Sequence, residues 1–254
     1  MRDARMVWIA GMARAGSMWT FNVTRALLRR DGRRVMPEQV PAREQATVAL
    51  ARTVLAGSDC GAAWVFKTHL WFQPLPPRSL FITPRRDARD TLISYMRFMR
   101  TDFDAALEAA VQNAGLHDFY AALPAGLRLA VDYRDICHAP ERVVAGIGHF
   151  LGLDLDAAAC AKVAQEFDRT RVQRAISDHE RGAGGEAERI LIRSCDGSER
   201  RFDPATGFQT GHVSDYVDGD WRTLLSPGQI ARMHEALGPW LERNGYPVEP
   251  ADAA

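Results

Sequence analysis

The sequence predicts a single α/β domain over residues 1–254, with a P-loop-like, mostly parallel β-sheet flanked by helices, and with residues 181–220 as a mobile lid segment or insertion. Short apolar runs alternate with helical patterns through the first 150 residues, which is the signature of βαβ units. A loop bracketed by Gly11 and Gly16 separates the first such run from the first helical pattern. Apolar residues make up 46% and charged residues 25% of the chain, enough to build a sizeable core and too ordered a mixture for a disordered or collagenous protein.

The elements follow in order. Met6–Ala10 reads as a buried strand, and Trp19, Val23 and Leu27 at i, i+4, i+8 place a helix behind it that ends in Arg29-Arg30-Asp31-Gly32. Residues 63–66 and 79–82 read as the second and third strands, the third closed by Pro84. Asp87 is positioned to cap a helix that carries Leu92, Tyr95, Met96 and Met99 on one side. A helix over 104–122, a strand over 127–131 and a proline-opened helix from Pro140 to Gly152 come next, with helical pattern continuing to about residue 178. Residues 181–220 lose periodicity and gain glycine and charge, and a segment of that length is usually functional or disordered. Ser226-Pro227 then starts a last helix, running to Asn244-Gly245.

Charge narrows the range of partners. Lys+Arg and Asp+Glu are both 32, so the chain lacks the broad basic surface of a nucleic-acid or anionic-membrane binder, and any anion must be held locally. Thirty of the basic residues are arginine; only Lys67 and Lys162 are lysine. Four scattered cysteines (Cys60, Cys137, Cys160, Cys195) form neither a zinc pattern nor a disulfide framework, and the expected setting is a reduced cytoplasm. The run from Met6 to Ala13 is short for the ~7–15-residue core of a secretory leader and is broken by Arg14, so it is read as a strand. No apolar run reaches the ~18–20 residues that span a bilayer.

Gly11-Met12-Ala13-Arg14-Ala15-Gly16-Ser17-Met18 joins a strand to a helix, the geometry in which backbone N–H groups cradle a phosphate. Against G-x-x-x-x-G-K-[ST], the glycines match, but Ser17 replaces the lysine and Met18 the metal-binding hydroxyl. A magnesium–nucleoside triphosphate would lose both contacts. An anion without an obligatory metal, steadied by Arg14, fits better.

Four further segments stand in a fixed order: Phe66-Lys67-Thr68-His69-Leu70, then Thr83-Pro84-Arg85-Arg86 continuing to Ser94-Tyr95, then Tyr133-Arg134-Asp135, then Gly219-Asp220-Trp221. Together with the loop they make the chain resemble the sulfotransferases that use 3′-phosphoadenosine-5′-phosphosulfate (PAPS) as donor and release 3′-phosphoadenosine-5′-phosphate (PAP). The resemblance covers roughly residues 6–135 and 212–240. It implies that Arg14, Ala15, Gly16, Ser17 and Met18 hold the 5′-phosphosulfate, that Trp19 stacks on adenine, that Arg86 and Ser94 bind the 3′-phosphate, and that Tyr133 touches the adenine edge. A guanidinium fork with a serine hydroxyl suits a phosphate dianion on chemical grounds as well. The chain departs from the family where Arg14 replaces the loop lysine and where Ser214-Asp215-Tyr216 stands in place of an Arg-Lys-Gly, so that an arginine from 181–201 is a candidate substitute.

Lys67 and His69, two apart at a strand end, point to one face and can meet one ligand together. With an intrinsic pKa of ~6.5, His69 suits a general base. Lys67 can steady charge on the phosphate–sulfate bridge, and an ammonium kept in a chain that otherwise writes arginine argues for a site that a fork would not fit. The resemblance assigns these same roles, and the catalytic group it implies is His69, Lys67 and Arg14, moving a sulfuryl group to a small-molecule hydroxyl, less readily an amine, without metal, nucleic acid or membrane. A nucleotide or nucleoside kinase on a related scaffold and a non-catalytic nucleotide-binding module are the alternatives. Arg85 and Arg89 read as surface charges. Residues 30–60 and 100–120 are expected to shape the acceptor pocket, with Trp64, Trp71, Phe72 and Phe103 pointing either to an aromatic pocket wall or to core.

Overall fold

The computed structural model describes residues 6–57, 61–180, 190–193, 197, 199–213 and 215–248. Five parallel strands form the central sheet in the order β2-β3-β1-β4-β5: β1 (Met6–Ala10), β2 (Arg34–Met36), β3 (Ala62–Thr68), β4 (Ser79–Arg85) and β5 (Arg128–Asp132). The chain runs from β1 out to the edge strand β2, returns to β3 beside β1, then crosses β1 to the other side for β4 and β5. β1 is therefore the point where the direction of winding reverses, and the crevice at its carboxyl end is where such sheets take ligands.

Every residue of β1 is buried, because helices cover both faces. Alternate residues Val7, Ile9, Val65, Ile82 and Val131 pack with α1 (Ser17–Arg30), α6 (Pro140–Leu151) and α7 (Ala157–Glu166). The residues between them, Trp8, Phe66 and Phe81, pack on the other face against α2 (Glu44–Ala56) and α4 (Phe103–Ala121). α3 (Ala88–Met99) and α10 (Pro227–Arg243) form a further layer against α4. Asp87 caps α3 by accepting the Arg89 N–H at 2.9 Å, and Ser226 with Gln229 closes a capping box at the start of α10. Trp8 is the central pillar of the second face: it is fully buried, stacked on Phe66 at 4.8 Å, edge-on to Phe72 at 4.6 Å, and its Nε1–H donates to Ser79 Oγ at 3.2 Å. Trp8→Ala is expected to destabilise the fold by ~3–5 kcal/mol, read as a lowered midpoint in urea unfolding.

Pro84 does not end the third strand. β4 continues to Arg85 because its pairing with β1 stops at Ile82, while Pro84 still faces Val131 of β5, so the missing N–H costs the β1 ladder nothing. β2 and α2 were not expected as elements within 30–60. Residues 181–220 are not uniformly irregular: β6 (Ile190–Arg193) pairs antiparallel with β7 (Glu199–Phe202), and Phe202 is buried in the main core. Residues 181–189, 194–196, 198 and 214 of that stretch lie outside the described residues, as do Cys60 and Cys195. Trp64, Phe72 and Phe103 belong to the core. Arg89 is no surface charge; it is 2% exposed, paired with Asp87, and donates to the Pro247 carbonyl at 2.8 Å. Arg85 pairs with Asp132 at 3.1 Å.

α1 also anchors the segment after β7. Buried Arg25 donates to the carbonyls of Ala205, Pro37 and Glu38 at 2.6, 2.9 and 3.2 Å, and Asn22 Nδ2 donates to the Thr206 carbonyl at 3.0 Å. The turn at 203–208 is thereby tied to the helix that follows the first loop.

Candidate active site

A cavity of about 890 Å³ opens at the carboxyl edge of the sheet, a volume within the range of small-molecule sites. Its wall is built from the ends of β1, β3, β4 and β5 and from α3 and α4. Of the residues singled out in the sequence, Arg14, Gly16, Ser17, Met18, Trp19, Lys67, His69, Arg86, Ser94 and Tyr133 all line it. Ala15 is the exception: its side chain is fully buried in the core beneath the loop, so only its backbone is available.

The first loop is shaped to present backbone donors. Gly16, at φ 85° in the left-handed region, caps α1 without a side-chain partner, so the first N–H groups of the helix have no intrahelical acceptor. A Cβ at residue 16 would stand 2.7 Å from Ile136 Cδ1 and 3.2 Å from Tyr133 Cδ2, so glycine is required there both by conformation and by space. Arg14, itself at φ 64°, donates from Nε to Ser94 Oγ at 3.0 Å and from a terminal nitrogen to the His212 carbonyl at 3.0 Å, with its guanidinium 4.2 Å above the Phe98 ring. Burial, aided by Arg86, pushes Arg14 down to about 10, which leaves it charged at neutral pH.

Lys67 and His69 leave the end of β3 on one side, as their i, i+2 spacing requires, and Lys67 Nζ lies 3.2 Å from His69 Nε2. His69 Nδ1 is 2.8 Å from the Gly11 carbonyl, which can only accept. The proton therefore sits on Nδ1, and Nε2 offers a lone pair to the Lys67 ammonium. Glu44, from the first turn of α2, fixes this strand end: its carboxylate accepts the Thr68 hydroxyl at 2.9 Å and the His69 N–H at 2.9 and 3.1 Å. Burial, with the neighbouring Lys67 charge second, lowers His69 to about 4; burial also lowers Lys67.

Arg86 forms the third corner. It is 6% exposed, its guanidinium stands 4.2 Å over the Tyr133 ring, it donates to the Arg14 carbonyl at 3.1 Å, and it pairs with the half-exposed carboxylate of Asp218. Its Nε–H is buried with no partner among the described residues. Trp19 closes the far wall, its ring held by an Nε1–H bond to the Phe167 carbonyl at 3.0 Å.

The late segment closes by a route that the sequence did not reveal. Asp90 of α3, pushed up to about 6 by burial, accepts the Tyr216 hydroxyl at 2.6 Å and the Gly219 N–H at 2.8 Å, while Asp218 reaches Arg86. Of the arginines in 181–201, Arg200 lies behind the cavity, 4.0 Å over the Phe98 ring, and does not line it. Glu44, Phe98, Asn113, His212 and Asp218 were all missed as site residues. Asn113 receives the Ala13 N–H at 3.0 Å. No motif or spacing marks these five, because each comes from a different element and acts on a neighbour in space.

The sequence matches no protein-family model and no curated protein. Solved structures do match. A retinol dehydratase in complex with retinol and PAP superposes with a TM-score of 0.64 at 16% identity, over 97% of this chain and 83% of that one. Mouse sulfotransferase SULT7A1 complexed with PAP gives 0.62 at 16% identity, over 95% and 85%. The sulfotransferase domain from the curacin biosynthetic pathway gives 0.54 at 12% identity, over 96% and 98%. The fold is that of the sulfotransferases. In the sulfotransferase fold of this chain, the described residues contain no cluster of three or more His, Cys, Asp or Glu able to hold a metal ion, and no helix long and apolar enough to cross a membrane.

Proposed function

We propose that this protein is a PAPS-dependent sulfotransferase that moves a sulfuryl group to a hydroxyl of a small-molecule acceptor. One observation carries the reading: a lysine and a neutral histidine 3.2 Å apart face a cavity that also holds an anion cradle on α1 and a buried arginine with an unsatisfied Nε–H. A base beside a cation and two separate anion subsites are what a donor with a 5′-phosphosulfate and a 3′-phosphate requires.

The loop N–H groups of residues 14–18 and the Arg14 guanidinium hold the phosphosulfate. Arg86 and Ser94 take the 3′-phosphate, with Arg86 exchanging the Asp218 carboxylate for it. Trp19 and Tyr133 hold the adenine, and stacking on Trp19 contributes ~1–3 kcal/mol. The donor supplies an electrophilic sulfur with a phosphate leaving group. His69 Nε2 accepts the acceptor's hydroxyl proton, once Lys67 turns its ammonium from His69 to the bridging oxygen. Phe98 and Met99 of α3, Ala109 and Leu116 of α4 and Trp71 after β3 form the apolar part of the acceptor wall, so these three segments select the acceptor. The reaction uses no metal, and the free thiols Cys137 and Cys160 suit a reduced cytoplasm.

The direct test incubates the protein with sulfur-labelled PAPS and a panel of phenols, sugars and nucleoside-type alcohols, with and without EDTA. Label transfer undiminished by EDTA is expected; its absence across the panel, with no rise in melting temperature on adding PAP, overturns the reading. The pH dependence gives a second check. Because His69 titrates at about 4 in the free protein, kcat/KM is expected to hold level from about pH 7 to about pH 5 and to fall only towards pH 4, whereas an unperturbed histidine base would fail below about 6.5. The anionic donor raises the affinity of His69 for a proton, so the acid limb of kcat lies at higher pH than that of kcat/KM.

A further inference from the structure

His212 stands in the same cavity wall as Arg14, Lys67 and His69, and no motif assigns it. Its imidazole is held on two sides. Nδ1 accepts the Gln209 N–H at 2.9 Å, in a turn closed by the His212 N–H on the Gln209 carbonyl at 3.0 Å. One ring face lies parallel to Phe98, centroids 5.3 Å apart at 14°. A nitrogen that accepts a backbone N–H cannot carry a proton itself, so in the neutral ring the proton is on Nε2. Burial, together with the charges of Arg14, Lys67 and Arg200 and the nearby His69, pushes the ring well below the ordinary histidine range, so it stays neutral at working pH. The result is a fixed, uncharged N–H donor beside the arginine whose guanidinium the same residue's carbonyl holds at 3.0 Å.

We propose that His212 is a further catalytic residue of this site, its Nε2–H donating to a non-bridging oxygen of the sulfuryl group in flight. The inference rests on the sulfotransferase reading above. In the step it serves, an acceptor oxygen lone pair forms the new O–S bond, the S–O bond to the 5′-phosphate breaks with its electron pair remaining on that phosphate, and the acceptor proton passes to His69 Nε2. His212 gives up no proton; it supplies a preorganised dipole. A fixed neutral donor costs no reorganisation during transfer, and removing one such donor typically lowers kcat by ~10²–10³-fold. It also provides a reason for the arginine in the first loop. Arg14 is engaged by Ser94 through Nε and by the His212 carbonyl through one terminal nitrogen, so His212 adds a second donor beside the part of that fork that remains for the phosphosulfate.

Three variants test this with PAPS and whichever panel acceptor the wild type sulfates, with 2-naphthol tried first. His212→Phe keeps the ring on Phe98 but removes the donor, and kcat is expected to fall ~10²–10³-fold. His212→Ala is expected to fall at least as far. His212→Gln restores an N–H near the Nε2 position and is expected to recover to within about tenfold of wild type. PAP, which lacks the sulfuryl group, is expected to bind all three within about threefold of wild type by calorimetry, a difference of roughly 0.6 kcal/mol. Retention of kcat by His212→Phe overturns the proposal, as does a loss of PAP affinity that parallels the loss of kcat, or a His212→Gln no better than His212→Phe. If the wild type neither transfers label nor binds PAP, the sulfotransferase reading fails and this inference with it; if the wild type is active and the Phe variant equally so, only the role of His212 fails.

Discussion

Replacing His69 with alanine is expected to lower kcat for sulfuryl transfer by ~10²–10⁴-fold while leaving PAP bound. The side chain meets the protein at two atoms, Nδ1 on the Gly11 carbonyl at the start of the first loop and Nε2 against Lys67 Nζ, and it contacts none of the cradle N–H groups of residues 14–18. Its backbone N–H, which Glu44 holds, survives the substitution. Steady-state kinetics with labelled PAPS and calorimetry with PAP separate the two quantities. A variant that loses PAP affinity and turnover together would show His69 to be scaffolding of the cradle, and a variant with wild-type kcat would remove it from the chemistry.

Arg86→Ala is expected to act in the opposite way, weakening PAP by roughly 30- to 4,000-fold, the ~2–5 kcal/mol typical of losing one partner of a buried charge pair. Arg86 is nearly fully buried, and its ring contact with Tyr133, its bond to the Arg14 carbonyl and its unsatisfied Nε–H all converge on one corner of the cavity. Asp218 competes for that guanidinium in the free protein. Since the Asp218 carboxylate is half exposed, Asp218→Asn is expected to tighten PAP by no more than about fivefold, the upper end of an exposed ion pair's worth. PAP affinities of the two variants, measured at one ionic strength, check both signs. An Arg86→Ala protein that binds PAP normally would move the 3′-phosphate elsewhere.

Much of the sheet was legible because buried parallel strands write themselves as unbroken apolar runs, as Met6–Ala10 does, and because Ser226-Pro227 and Asp87 are strong helix starts. Pro84 misled the reading because proline disqualifies a strand only where its N–H is needed, and that depends on which neighbour the strand has lost. The short strand β2, three residues with one buried, carries too little pattern to be seen. At the site, the residues set by local spacing were found: Lys67 and His69 through the two-residue period, and the loop through its glycines. Glu44, Asp218 and His212 were not, because their roles come from where α2 and the late segment are delivered in space. Arg89 was misjudged for the same reason; a buried arginine bonded to Asp87 and the Pro247 carbonyl looks like any surface arginine until its acceptors are known.

Ile9 of β1 lies opposite Lys67 of β3, and Ala10 opposite Thr68. The strands that lead into the donor cradle and the base are thus immediate neighbours in the sheet, ~4.8 Å apart. The cavity lining contributed by α3 and α4, to which the proposed reading assigns acceptor choice, lies outside that ladder. Changes at Met99, Ala109 or Gln112 can therefore reshape that wall while the ends of β1 and β3 keep their separation.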